Sequence, residues 1–237
     1  MLLIAASSAA FYFGFFDTDP YVDFPVRGDR SSDYAAVLFS GDLGFRTGKG
    51  NSIAAPFEAR GVPVLGVSSP VAFGRWHNRA QLVRIVDRAI AHADRRFAKP
   101  KVIVIGHSYG ADITAVVLPS LRADVRARVG GLFLVTPGEN VYFRADPTGL
   151  SYRGRPDADA RSAAGIDWLA VLCLYGAKET DSLCPLLTAP NVRRVTLPGG
   201  HHLDNDNKAV ERAVGDAIDA MLPQLALPKI APPKAAK

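Results

Sequence analysis

The stretch Val102-Ile103-Val104-Ile105-Gly106-His107-Ser108-Tyr109-Gly110-Ala111-Asp112 decides the reading of this chain. A run of four β-branched residues has the character of a strand buried on both faces. The mostly apolar stretch 111–121 that follows has the character of a buried helix. Between them one serine is flanked at two residues on each side by glycine. A turn from strand to helix tight enough to push the Ser108 hydroxyl out over a sheet leaves no room for a side chain at either flank, so Gly106-x-Ser108-x-Gly110 marks Ser108 as a candidate nucleophile.

Reading outward, the same rhythm recurs. The runs 35–39, 62–67, 132–135, 169–174 and 192–197 are apolar or β-rich, and each ends in a glycine- or serine-containing turn. Helical periodicity lies between them. In 78–97, Leu82, Ile85, Val86, Ala89, Ile90 and Ala93 share one stripe, and in 208–225 Val210, Val214, Ile218 and Leu222 do the same. Strands alternating with helices predict an α/β fold with a doubly wound sheet of roughly six parallel strands flanked by helices. With the serine turn, the expected type is the α/β-hydrolase fold. Residues 139–167 break the rhythm with polar residues, Pro147, Gly149, Gly154 and Pro156, and read as a lid-like excursion. The expected organisation is an apolar N-terminal segment over 1–20, the hydrolase domain over 21–227, and a disordered Pro/Lys-rich tail over 228–237.

A serine hydroxyl needs a base, and in this fold the chain order is Ser, then Asp or Glu, then His. Two histidines follow Ser108, in Gly199-Gly200-His201-His202-Leu203 just past the last strand run. His201 is the preferred base because it directly follows glycine and precedes x-apolar; His202 is the alternate, facing substrate or anchoring the loop. His77 and His92 precede the serine, and His107 is held beside it pointing elsewhere. The orienting acid is expected in Tyr175-Gly176-Ala177-Lys178-Glu179-Thr180-Asp181 after the preceding strand, with Asp181 preferred and Glu179 the runner-up. An oxyanion needs two backbone N–H donors. Tyr109, after the nucleophile, supplies one. Asp42 or Leu43, in the loop Ser40-Gly41-Asp42-Leu43-Gly44, supplies the other. The Asp42 carboxylate must then point away, organising the loop or meeting a cationic substrate group.

Length, 48% hydrophobic content and 22% charged residues suit one globular domain. The formal net charge of +5 favours anionic surfaces such as phospholipid, with a solvated basic face as the plainer account. No nucleic acid is predicted as a partner, because zinc-finger spacing, aromatic RNA-binding motifs and basic heptads are absent from the sequence. No metal site and no cofactor are predicted. Cys173 and Cys184 are the two cysteines, readable either as a disulfide near one strand end or as a pair of core thiols. Residues 1–16 carry no charge. They are short for a span of about 20 residues and lack the basic region of a signal peptide. They are read as part of an export signal or membrane anchor that begins upstream of Met1, which predicts an exported protein.

The motifs together resemble the VirJ/AcvB family of bacterial virulence proteins. The matching pieces are Phe39-Ser40-Gly41-Asp42-Leu43-Gly44, the Ser108 motif through Asp112, Tyr175-Gly176 with Asp181-Ser182-Leu183-Cys184, and Leu197-Pro198-Gly199-Gly200-His201-His202. The resemblance implies a periplasmic protein associated with virulence and type IV secretion. It also implies similarity to hydrolases that remove the aminoacyl group of lysyl-phosphatidylglycerol. Expected partners are then a small-molecule or lipid ester, an anionic membrane surface and secretion-system proteins. Arg75 and Arg79 are candidates for meeting a phosphate. A Cys173–Cys184 disulfide is what an oxidising compartment would favour. The chain departs from the family at Gly41-Asp42-Leu43-Gly44, where Gly-Asp-Gly-Gly is usual, and at 71–76, where an aromatic-rich segment is usual. Two functions are therefore expected from different classes: a serine hydrolase working through an acyl-enzyme, and a secretion-associated binding protein on a hydrolase scaffold.

Overall fold

The computed structural model describes residues 17–46 and 49–222. Residues 1–16 of the N-terminal segment and the tail 228–237 lie outside the described residues. Nine strands are described: β1 Tyr21–Phe24, β2 Tyr34–Phe39, β3 Val64–Val67, β4 Lys101–His107, β5 Val129–Val135, β6 Asn140–Val141, β7 Ala158–Asp159, β8 Val171–Gly176 and β9 Val192–Leu197. Seven form one sheet in the order β1-β3-β2-β4-β5-β8-β9. The six strands expected from the apolar runs are all parallel to one another. The seventh, β1, pairs antiparallel with β3 at the sheet edge. Only Phe24 of its four residues is buried, so it carried no apolar run to announce it.

Side chains alternate across a strand, and here each face has its own core. Val37 and Phe39 of β2, with Val102 and Val104 of β4, pack toward the helices Arg79–Phe97 and Tyr109–Val117. Ala36, Leu38, Ile103 and Ile105 pack the other way, toward Gly50–Glu58 and Asn207–Met221. Asn78 caps the long helix, accepting from the Gln81 N–H at 2.9 Å while the Gln81 side chain takes the Asn78 N–H at 2.8 Å. The helix after Ser108 stops at Val117, and a single 3₁₀ turn at Leu118–Ser120 completes the predicted stretch.

The strand order matters for function. From β2 the chain moves outward to β3, then returns across β2 to β4. The loops leaving the C-terminal ends of β2 and β4 therefore diverge, opening the crevice in which ligands bind in such sheets. The loop Ser40–Gly44 follows β2 and Ser108 follows β4. Residues 139–167 leave β5 and cross this end of the sheet, held together by the antiparallel pair β6–β7. Cys173 in β8 is bonded to Cys184 with Cα atoms 5.4 Å apart, tying that strand to the segment after it.

Candidate active site

Ser108 sits between β4 and its helix at φ 51°, ψ −122°, a backbone conformation that L-residues rarely adopt. The two glycines make this turn possible. A Cβ on Gly106 would lie 2.4 Å from the Ala111 Cα and 2.5 Å from the Gly110 oxygen. One on Gly110 would lie 2.3 Å from the carbonyl oxygen of Phe39. The Gly110 N–H donates to the Ser40 carbonyl at 3.1 Å, so the elbow and the oxyanion loop are stitched together. Ser40 is pinned in turn: its hydroxyl accepts from the Ser69 N–H at 2.9 Å, and its carbonyl accepts from the Ser69 hydroxyl at 2.5 Å.

His201 Nε2 lies 2.8 Å from Ser108 Oγ, and His201 Nδ1 lies 2.8 Å from Glu179 Oε1. Of the two candidate histidines, His201 is the one brought to the serine. His202 packs edge-on against it with ring centroids 5.6 Å apart and is exposed to solvent. Of the two candidate acids the structure brings Glu179, not Asp181, to the imidazole. The reason lies in the turn after β8. The Glu179 N–H donates to the Gly176 carbonyl at 3.0 Å, and Glu179 Oε2 accepts the Gly176 N–H at 2.8 Å. The Ala177 and Lys178 N–H groups donate to Leu197 and Gly199, which carries the histidine loop alongside. Asp181 lies beyond this turn. Its carbonyl accepts from the Glu139 N–H at 2.9 Å, and its side chain is exposed at the cavity wall.

The two residues expected to supply oxyanion donors, Tyr109 and Asp42, flank Ser108 at the larger cavity beside it. The Tyr109 N–H lies in the first turn of its helix, where backbone donors have no helical partner. Asp42 and Leu43 are the central residues of a turn closed by the Gly44 N–H on the Gly41 carbonyl at 3.1 Å. Among the described residues neither the Tyr109 nor the Asp42 N–H donates to a backbone acceptor. The Asp42 side chain turns toward the excursion and accepts a hydrogen bond from the Tyr152 hydroxyl. Burial pushes the Asp42 carboxyl up to about 6, opposed by that hydrogen bond. Leu43 is exposed. Burial pushes His107 down to about 3, so this neighbour of the nucleophile is neutral at physiological pH.

Two cavities flank the serine. One, of about 320 Å³, is lined by polar groups that include Asp42, Asp112, Asn140, Glu179 and Asp181, together with Tyr142 and Tyr152 of the excursion. The other, of about 240 Å³, lies against Gly41, Leu43, His107, Pro147 and His202. The sequence reading gave no role to Asp112, although it lies within the quoted serine motif, and none to Tyr152, whose partner Asp42 is 110 positions away. Arg79, a phosphate candidate, is engaged within the fold. It donates to the Val116 carbonyl at 3.2 Å and stacks 5.7 Å from the centre of the Phe143 ring. Arg75 is exposed.

A family model described as "Bacterial virulence protein (VirJ)" matches residues 33–222, which hold all of these side chains. The chain belongs to the VirJ family. Among curated proteins none matches it. Among solved structures, this VirJ-family chain is similar to the Est1E protein of Butyrivibrio proteoclasticus with ferulic acid bound, at a TM-score of 0.61 and 14% identity over 86% of this chain and 95% of that one. It is also similar to an α/β serine hydrolase homologue from Coxiella burnetii, at a TM-score of 0.58 and 14% identity over 84% and 90% of the two chains. A hyperthermophilic esterase from Pyrobaculum calidifontis matches at a TM-score of 0.58 and 15% identity over 91% and 88%. At these identities the likeness establishes the α/β-hydrolase fold.

Proposed function

We propose that this VirJ-family protein is a periplasmic serine esterase that works through an acyl-enzyme, with the aminoacyl ester of lysyl-phosphatidylglycerol as its substrate. One observation carries the reading: a continuous relay of two 2.8 Å contacts runs from Ser108 Oγ through His201 to Glu179, on a strained elbow. In the reaction His201 Nε2 takes the Ser108 proton as Oγ attacks the ester carbonyl. Glu179 holds the proton on Nδ1 and steadies the imidazolium. The Tyr109 and Asp42 N–H groups receive the charge that develops on the carbonyl oxygen. His201 returns the proton to the leaving alcohol, and water repeats the sequence to free the acid.

The Cys173–Cys184 disulfide supports an oxidising compartment. A lipid substrate is supported by exposed Leu43 at the smaller cavity and by exposed Trp76 and Leu150, which are close in sequence to the exposed cations Arg75, Arg144, Arg153 and Arg155. The test is labelling of purified protein with a fluorophosphonate, followed by peptide mapping and hydrolysis assays. Label on Ser108, lost in Ser108→Ala together with ester and lysyl-phosphatidylglycerol cleavage, is expected. Undiminished cleavage by Ser108→Ala would overturn the assignment.

A further inference from the structure

The larger cavity beside Ser108 has a charge character that the relay does not require. Four carboxylates line it, Asp42, Asp112, Glu179 and Asp181, and among the described residues no lysine or arginine does. Glu179 is used by His201, and Asp42 is bonded to Tyr152. Asp112 is different. It leaves the first turn of the nucleophile helix and is enclosed by protein except toward the cavity. Its Oδ1 accepts the Gly138 N–H at 2.7 Å, while Oδ2 has no hydrogen-bond partner among the described residues. A second unsatisfied group lies within its electrostatic reach. The Tyr109 side chain is 3% exposed, and its hydroxyl is buried without a partner, in the field of Asp42 and Asp112.

A buried polar group without a partner costs free energy, and an enclosed carboxylate without a cation costs more. Burial and the neighbouring Asp42, Asp181 and Glu179 carboxylates push Asp112 well above the ordinary carboxylate range, a penalty that a bound cation would remove. An ammonium carries several N–H donors and one positive charge. It can donate to Asp112 Oδ2 from within the cavity, and Asp181 adds a longer-range attraction from the cavity wall.

We infer that Asp112 is a specificity-determining residue of a cation subsite, and that this subsite holds an ammonium group of the substrate within the cavity adjoining Ser108. The inference rests on the proposal that Ser108 is the nucleophile, and it adds the residue by which a cationic ester is told from an uncharged one. The ammonium can belong to the acyl half or to the alcohol half of the ester, since the cavity touches the nucleophile directly.

The test compares wild type with Asp112→Asn, which keeps the side-chain shape and an oxygen for the Gly138 N–H. Three esters are used: glycine ethyl ester with the cation on the acyl half, choline acetate with it on the alcohol half, and ethyl acetate with none. The ratio of kcat/KM for the favoured cationic ester over ethyl acetate is expected to fall at least tenfold in Asp112→Asn. Whichever cationic ester shows the fall identifies the half that enters the subsite. Lysinamide binding, measured by calorimetry on the Ser108→Ala protein, is expected to weaken at least tenfold when Asp112→Asn is added. An unchanged ratio, or equal losses on all three esters with unchanged lysinamide binding, would overturn the subsite. Failure of fluorophosphonate to label Ser108 would instead sink the nucleophile assignment, and the calorimetric result would stand apart from it.

Discussion

Replacing Glu179 by Gln separates the acid that the structure brings to His201 from the acid that the sequence favoured. Both Glu179 oxygens act as acceptors: Oε1 faces Nδ1 of His201 at 2.8 Å and Oε2 takes the Gly176 N–H at 2.8 Å. The side chain is 4% exposed, so water cannot replace either contact. Glutamine has one acceptor oxygen. If that oxygen stays on the Gly176 N–H, the amide NH₂ points at Nδ1 and forces it to accept. The ring proton then moves to Nε2, which can no longer take the Ser108 proton. If the amide flips, two donors meet at Gly176 in a buried site. The first arrangement removes the reactive tautomer, and the second keeps it only with an unsatisfied pair of donors in a buried site; loss of the tautomer is worth a factor of about 10³–10⁴ in kcat, or about 4–5.5 kcal/mol of barrier. The assay is steady-state hydrolysis of p-nitrophenyl acetate, with fluorophosphonate labelling rates alongside. Glu179→Gln is expected to lose at least a hundredfold more kcat than Asp181→Asn. An Asp181→Asn loss equal to or greater than that of Glu179→Gln would refute the assignment, as would a Glu179→Gln enzyme within tenfold of wild type.

Two predictions concern stability. The Asp42 carboxyl is raised from 3.8 to about 6, so its contribution to stability is fully present below 3.8 and is lost as pH rises through 6. At about 1.4 kcal/mol per pH unit, that loss is on the order of 3 kcal/mol. Asp42→Asn, which keeps an oxygen for the Tyr152 hydroxyl, should gain little in Tm at pH 4 and on the order of 6–12 °C at pH 7.5, relative to wild type; a gain independent of pH would contradict the burial account. The Cys173–Cys184 bridge closes a loop of sequence separation 11. Loop-closure entropy puts its contribution at about 3 kcal/mol. The double Cys173→Ser, Cys184→Ser protein should melt on the order of 6–12 °C lower under oxidising conditions, and identical melting curves would show the bridge to be energetically idle.

Much of this fold was legible because buried strands and amphipathic helices write themselves into apolar periodicity. The runs around 35–39, 102–105 and 132–135 became β2, β4 and β5, and the stripe over 78–97 became the helix capped by Asn78. What escaped had no such signature. Strand β1 is short and largely exposed, and the helix Gly50–Glu58 carries an internal Pro56. In the site, Ser108 and His201 were legible because each is fixed by a local backbone rule, a glycine elbow and a glycine-preceded loop. The choice between Glu179 and Asp181 was not local. It depends on how the turn after β8 folds back on Gly176 and aligns with the loop after β9, which joins segments about 20 residues apart. Tyr152 on Asp42 is the extreme case, a contact across the whole crevice from a segment with no periodicity at all.

That contact also explains how one scaffold separates chemistry from selectivity. The elbow, the Ser40–Ser69 clasp and the Glu179 turn are built from hydrogen bonds to backbone groups at strand ends, and they hold Ser108 and Glu179 in place. The cavity walls come from elsewhere: Asn140, Tyr142 and Tyr152 all belong to the excursion after β5. Asp42 stands at the boundary. Its carboxylate is held by Tyr152, and its atoms line both cavities beside Ser108. A change in the excursion can therefore reach Ser108 through Asp42 as well as through the cavity walls. Substrate preference in this family should then vary with residues 139–167 while Ser108, Glu179 and His201 keep their geometry, because the first depends on side-chain contacts across the crevice and the second on backbone closure at the sheet.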